Sequence, residues 1–122
     1  EMPNMKLLQE NVSAALNRTR LSAGDQQVLQ DHARLTRSSY CAGCARICES
    51  AVEANIPISD TMRHLMYGRS YGDRRRASRY LRQIPSPTRQ VMAALDYSRA
   101  EKVCPQQMAI GRLIREGLTE FA

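Results

Sequence analysis

With 122 residues the chain has room for one domain with a modest core. Its formal charge of +6 suits polyanionic partners, but Trp is absent and Phe occurs once, which leaves little to stack on bases and speaks against nucleic acid. No apolar run approaches the roughly 18 residues of a membrane span, and the stretch from Glu1 to Lys6 lacks a signal-peptide core, so the expectation is a cytoplasmic protein without a membrane span.

Met5, Leu8, Val12 and Leu16 recur at helical spacing and predict a first helix, which Asn17-Arg18-Thr19-Arg20 ends. Ser22-Ala23-Gly24-Asp25 has the form of a capped helix start, and the helix that follows runs to about Arg37 with Val28, Leu29 and Leu35. After the cysteine loop, Ile56-Pro57-Ile58 is extended, because a residue before proline avoids the helical region. Ser59 or Asp60 caps a third helix over Thr61 to Tyr67, and Gly68 and Gly72 punctuate the turn after it. Asp73 caps the next helix, Arg74 to Ile84, which Pro85-Ser86-Pro87 ends. Pro87 suits the first position of another helix, carried by Val91, Met92, Leu95 and Val103. The last helix spans Ala109 to Phe121 with one apolar face of Ile110, Leu113, Ile114, Leu118 and Phe121. No segment alternates at period two, so the fold class is all-α, with about six short helices.

A faint internal repeat accompanies these elements. Cys48-Glu49 to Ile56-Pro57-Ile58 aligns without gaps on Ala100-Glu101 to Met108-Ala109-Ile110.

All four cysteines can serve one site. Cys41, Cys44 and Cys48 sit in one short run, and Cys104, followed by Pro105, arrives much later. Cys-x-x-Cys spacing outside a secreted context points to metal or redox chemistry before disulfides. The bacterial iron–sulfur run is Cys-x-x-Cys-x-x-Cys-x-x-x-Cys-Pro, and in two-cluster ferredoxins its fourth cysteine serves the other cluster. Laid back from Cys104, this pattern falls on Ala94, Tyr97 and Ala100; laid forward from the first run, its fourth position is Val52, with Glu53 where proline belongs. The crossover therefore leaves one complete set, Cys41, Cys44, Cys48 and Cys104, and one erased set, Val52, Ala94, Tyr97 and Ala100. Val52 and Tyr97 are expected to fill the vacated space, and the four erased positions to lie together. Three residues separate Cys44 from Cys48 where the pattern has two; in a helix that spacing still sets both on one face. The same sulfurs could hold one [4Fe–4S] cluster, could hold zinc, or could form an empty remnant.

Beyond the cysteines, the chain resembles the C-terminal ferredoxin-like extension of certain bacterial aldo/keto reductases. The residues that carry the likeness are Tyr40-Cys41-Ala42-Gly43-Cys44, Ile56-Pro57-Ile58, Met62-Arg63-His64-Leu65-Met66-Tyr67, Tyr71-Gly72-Asp73 and Cys104-Pro105-Gln106-Gln107-Met108-Ala109-Ile110. Asn4 to Ala15 resembles the last helix of the reductase barrel. The resemblance implies two parts, a terminal helix and linker over 1–20 and an α-helical ferredoxin-like domain over 21–122. It implies one cluster for electron transfer or redox tuning, with the parent reductase barrel and a redox protein as partners. The barrel would supply the catalytic residues and the NAD(P) site, so this fragment is not by itself an enzyme and has no catalytic residue. The alternative is a structural or interaction domain, its four-Cys site empty or zinc-filled, that caps or oligomerises the parent enzyme.

Three further groups have plainer readings. His32 and His64 read as helix-surface or half-buried histidines rather than ligands. Arg74, Arg75, Arg76, Arg79 and Arg82 read as a solvated face ahead of a docking patch, and Met62 and Met66 as core filler. Arg46, inside the cysteine run, is the arginine expected to raise the potential of a bound cluster.

Overall fold

The computed structural model describes residues 4–122. They form eight α-helices, and there is no strand among the described residues. The helices are α1 (Met5–Leu16), α2 (Ala23–Thr36), α3 (Ala45–Cys48), α4 (Ile58–Arg69), α5 (Arg74–Gln83), α6 (Ser86–Ala94), α7 (Ser98–Val103) and α8 (Ile110–Phe121). The all-α expectation holds. The count exceeds six because the cysteine run contains its own helical turn, α3, and because Asp96 and Tyr97 interrupt what the sequence pattern joins from Val91 to Val103. No helix among the described residues is long and apolar enough to cross a membrane.

The chain divides into two compact units, Glu1–His32 and Ala33–Ala122. In the first, the Asn4 side chain accepts a hydrogen bond from the Leu7 N–H at 2.9 Å and caps α1. Ser22 and Asp25 form a reciprocal capping box: the Ser22 N–H donates to Asp25 Oδ2 at 2.9 Å, and the Asp25 N–H donates to Ser22 Oγ at 3.1 Å. The Ser22 hydroxyl and amide hold the Asp25 carboxyl below its usual range. No residue of α1 is buried, and Met5, Val12 and Leu16 of its apolar stripe are exposed.

The second unit carries the core. α4 packs on α5, and both pack on α8. Asp73 caps α5 by accepting from the Arg76 N–H at 3.0 Å. α4 does not stop before Gly68, as the sequence pattern predicts, but continues through it to Arg69. A β-carbon at Gly68 would lie 2.8 Å from the Phe121 ring and 2.9 Å from the Ala77 methyl, so Gly68 is a packing residue and not a turn signal.

The repeat seen in the sequence is a structural duplication. Glu49 Oε1 accepts from the Ser59 N–H at 3.0 Å, and Glu101 Oε1 accepts from the Gly111 N–H at 2.9 Å, each reaching ten residues ahead. Both carboxylates thus satisfy free donors in the first turn of a helix, α4 and α8 respectively. Tight turns precede both helices, with the Ile58 N–H on the Ile56 carbonyl at 3.0 Å and the Ile110 N–H on the Met108 carbonyl at 2.9 Å. The entry residues match in backbone angle, Pro57 at φ −83°, ψ 73° and Ala109 at φ −77°, ψ 71°. Ile56 and Ile58 in one copy, and Met108 and Ile110 in the other, are all buried. α4 and α8 meet where Leu65 of one faces Gly117 of the other, two residues at the same position in their repeats; a β-carbon on Gly117 would collide with the Leu65 methyls.

Because the two carboxylates play one role, their removal should cost alike. Glu49→Ala and Glu101→Ala are each expected to destabilise the domain by about 1–2 kcal/mol in urea unfolding. A neutral result for either variant would show that its cap is idle.

Candidate metal centre

The four cysteines reach one place by different local devices. Cys41 follows a 3-10 turn at Arg37–Ser39. Gly43 then adopts φ 76°, a left-handed conformation that glycine takes without strain. That turn brings the Gly43 N–H to Cys41 Sγ at 3.5 Å. Cys44 stands at the N-cap position of α3, without a side-chain hydrogen bond to it, and Cys48 ends the helix. The additional residue between them is accommodated as one helical turn, which keeps both on the same side. The Cys48 thiol points back along its own helix, to the Ala45 carbonyl at 3.6 Å. Cys104 ends α7, and its carbonyl accepts the Gln107 N–H at 3.0 Å.

α3 packs against α4 and α7, which brings the short run and Cys104 together. Cys41, Cys44, Cys48 and Cys104 all line one cavity, with Ile58 and Met62 from one repeat and Met108 and Ile110 from the other. The cavity measures about 20 Å³, room for about one water. All four are free thiols; Cys48 is buried and the other three half-buried. Burial, then the charges of Glu49, Cys41 and Cys44, push the Cys48 thiol up to about 11.

Among the described residues, no group of three or more His, Cys, Asp or Glu side chains is gathered closely enough to hold a metal ion as the structure stands. The cysteines surround a common space without converging on a point. A single zinc ion asks for convergence, since each sulfur must come within about 2.3 Å of it. An iron–sulfur cluster brings its own bulk and takes thiolates arranged around it. The donor set and apolar walls fit a cluster; the cavity, at about 20 Å³, is smaller than one as the structure stands.

At the erased positions, Tyr97 and Ala100 are in the core and Val52 packs against it. The Tyr97 hydroxyl donates to the Met92 carbonyl at 2.8 Å, and burial raises its pKa to about 12, so it serves as filler. A β-carbon on Gly111 would stand 3.0 Å from the Tyr97 ring, so glycine there makes room for it. Ala94 departs from the expectation. It ends α6 in an exposed position, and the four residues do not form one buried cluster.

Two other groups settle into plain roles. His64 Nδ1 meets the Asp60 carbonyl at 2.8 Å while its ring stacks on Tyr80 at 3.8 Å. Arg74 pairs with Glu120 at 2.6 Å, and Arg76 covers the Tyr67 ring at 4.0 Å.

The sequence pattern missed Arg63. A β-carbon on Gly43 would lie 2.5 Å from Arg63 Nη2, so the guanidinium rests against the cysteine loop. The repeat could have pointed to it: Arg63 and Arg115 occupy equivalent places in α4 and α8. Arg115 in turn acts electrostatically on Asp96 and Tyr97; the ungapped repeat sets Asp96 opposite Cys44, one residue before the position that the iron–sulfur pattern gives to Tyr97.

No family model, curated protein or solved structure matches this chain.

Burial and the raised pKa make Cys48 the least reactive of the four thiols. At pH 8 its thiolate fraction is about a thousandth. Iodoacetamide followed by peptide mass mapping should label Cys41, Cys44 and Cys104 at least about tenfold faster than Cys48 in the metal-free protein. Equal rates would mean that the α3 end opens readily.

Proposed function

We propose that the second unit binds one [4Fe–4S] cluster through Cys41, Cys44, Cys48 and Cys104. In this reading it is the electron-transfer or redox-tuning domain of an aldo/keto-reductase-like oxidoreductase, whose substrate and nicotinamide chemistry belongs to a barrel domain. The supporting observation is that cysteines from both repeat copies, far apart in sequence, line one cavity. A bound cluster would supply one-electron transfer at that cavity. Ile58, Met62, Met108 and Ile110 would keep water from it, and the Gly43 N–H already donates toward Cys41 Sγ. The exposed Met5, Val12 and Leu16 stripe of α1 is consistent with packing against a further domain.

The small cavity favours a second reading, a structural and interaction domain whose four thiols hold nothing or zinc. Anaerobic expression, followed by iron, acid-labile sulfide and zinc analysis, separates the two. The first reading expects about four irons and four sulfides per chain and a brown protein. Iron-free protein with four intact thiols would support the second and overturn the first.

A further inference from the structure

We infer that Arg37, Arg46 and Arg63, set beside the segments that carry the four cysteines, form a docking surface for an acidic electron-carrier protein. The inference rests on the cluster reading for its purpose, although the surface exists without a cluster.

Each arginine is tied to the site by position. Arg63 lies against Gly43, between the first two cysteines. Arg46 stands in α3 between Cys44 and Cys48. The Arg37 guanidinium bonds the side chain of Gln107, whose N–H is held by Cys104. All three are exposed. None of them forms an ion pair among the described residues, whereas Arg69, Arg74, Arg99 and Arg112 all do.

The duplication supplies an internal comparison. In the erased half, Arg99 pairs with Glu53 at 3.2 Å. In the cysteine half the place of Asp96 is taken by Cys44, and Arg63 meets no such acid. Glu49 is turned inward to the Ser59 N–H, as Glu101 is to the Gly111 N–H. The three guanidinium groups beside the thiols thus carry their charge without a carboxylate partner among the described residues, whereas Arg99 beside the erased positions has Glu53. Unpaired guanidinium groups around a redox site attract a negatively charged partner and orient it with its own cofactor toward that site.

The test uses a reduced acidic plant-type [2Fe–2S] ferredoxin with the full chain after anaerobic reconstitution. Binding is measured by titration calorimetry and electron transfer by stopped flow. Affinity and rate should both fall about tenfold or more between roughly 50 mM and 500 mM salt. The combined Arg37→Gln, Arg46→Gln and Arg63→Gln variant should lose a similar factor at low salt, while its reduction by a cationic viologen is retained or accelerated. Arg75→Gln, Arg79→Gln and Arg82→Gln, which remove the same charge from α5, should leave ferredoxin affinity within about twofold. Equal losses in both triple variants would show a net-charge effect and overturn the inference. So would a changed cluster potential with unchanged ferredoxin affinity. If the chain takes up no iron, the cluster reading fails separately, and calorimetry on the iron-free chain still decides whether these three arginines bind the ferredoxin.

Discussion

Anaerobic reconstitution of Cys104→Ser is expected to leave less than one iron per chain, the same loss as Cys41→Ser, against about four for the unaltered protein. Serine has nearly the same shape as cysteine, and Cys104 is half-buried at a helix end, so circular dichroism should report an intact fold. The equality of the two losses is the informative part. A local site built on Cys41, Cys44 and Cys48 would keep most of its iron without Cys104. A site shared between repeat copies has no spare ligand, because the four thiols on the cavity are all the cysteines of the chain. Retention of two or more irons in Cys104→Ser would sink the cross-copy assignment and leave a three-cysteine site.

The second large effect concerns the fold itself. Phe121 is 1 % exposed and closes the end of the core against Gly68 and Ala77, with the Arg74 guanidinium 4.8 Å above its ring. Phe121→Ala removes a full aromatic side chain from a packed site and should cost about 3–5 kcal/mol. Gly68→Ala errs in the opposite direction. It forces a methyl into space already held by the Phe121 ring and the Ala77 methyl and should cost about 1–3 kcal/mol. Together the two changes should cost less than their sum, since the alanine methyl at 68 enters the space that the ring has left. Urea unfolding of the four proteins measures the coupling; strict additivity would mean that Phe121 and Gly68 do not share a contact in solution. A domain of this size has roughly 5–15 kcal/mol in all, so Phe121→Ala alone removes a large share.

Local signals in the sequence agree with the structure where the physics is local. Asp73 and Ser22 cap the helices they were expected to cap, because an N-cap needs only a side chain and the next turn of backbone. Distant partners were not legible. Neither Ser59 nor Asp60 begins α4; that helix starts at Ile58, with its first turn served by Glu49 from ten residues away. Gly68 looked like punctuation because glycine often ends helices, and only the ring of Phe121 reveals why it lies within one. That the four cysteines share one cavity is legible from their spacing. The place of Arg63 has no local signal, since nothing near it in sequence links it to Gly43; only the repeat, through Arg115, points to it. Ala94 departs from the expectation because the pattern fixes only a count along the chain and carries no information on where α6 ends.

The meeting of Leu65 with Gly117 bears on how such a duplicated chain can exist at all. Two copies related by an approximate dyad bring equivalent positions face to face on the axis. Identical copies would set leucine against leucine there, which overfills the crossing, or glycine against glycine, which leaves a void. A large residue opposite none solves the problem, but only in a chain whose halves already differ. Size complementarity on the axis and unequal loading of the two cysteine positions are thus two expressions of one broken symmetry, which two identical copies of a single half could not reproduce.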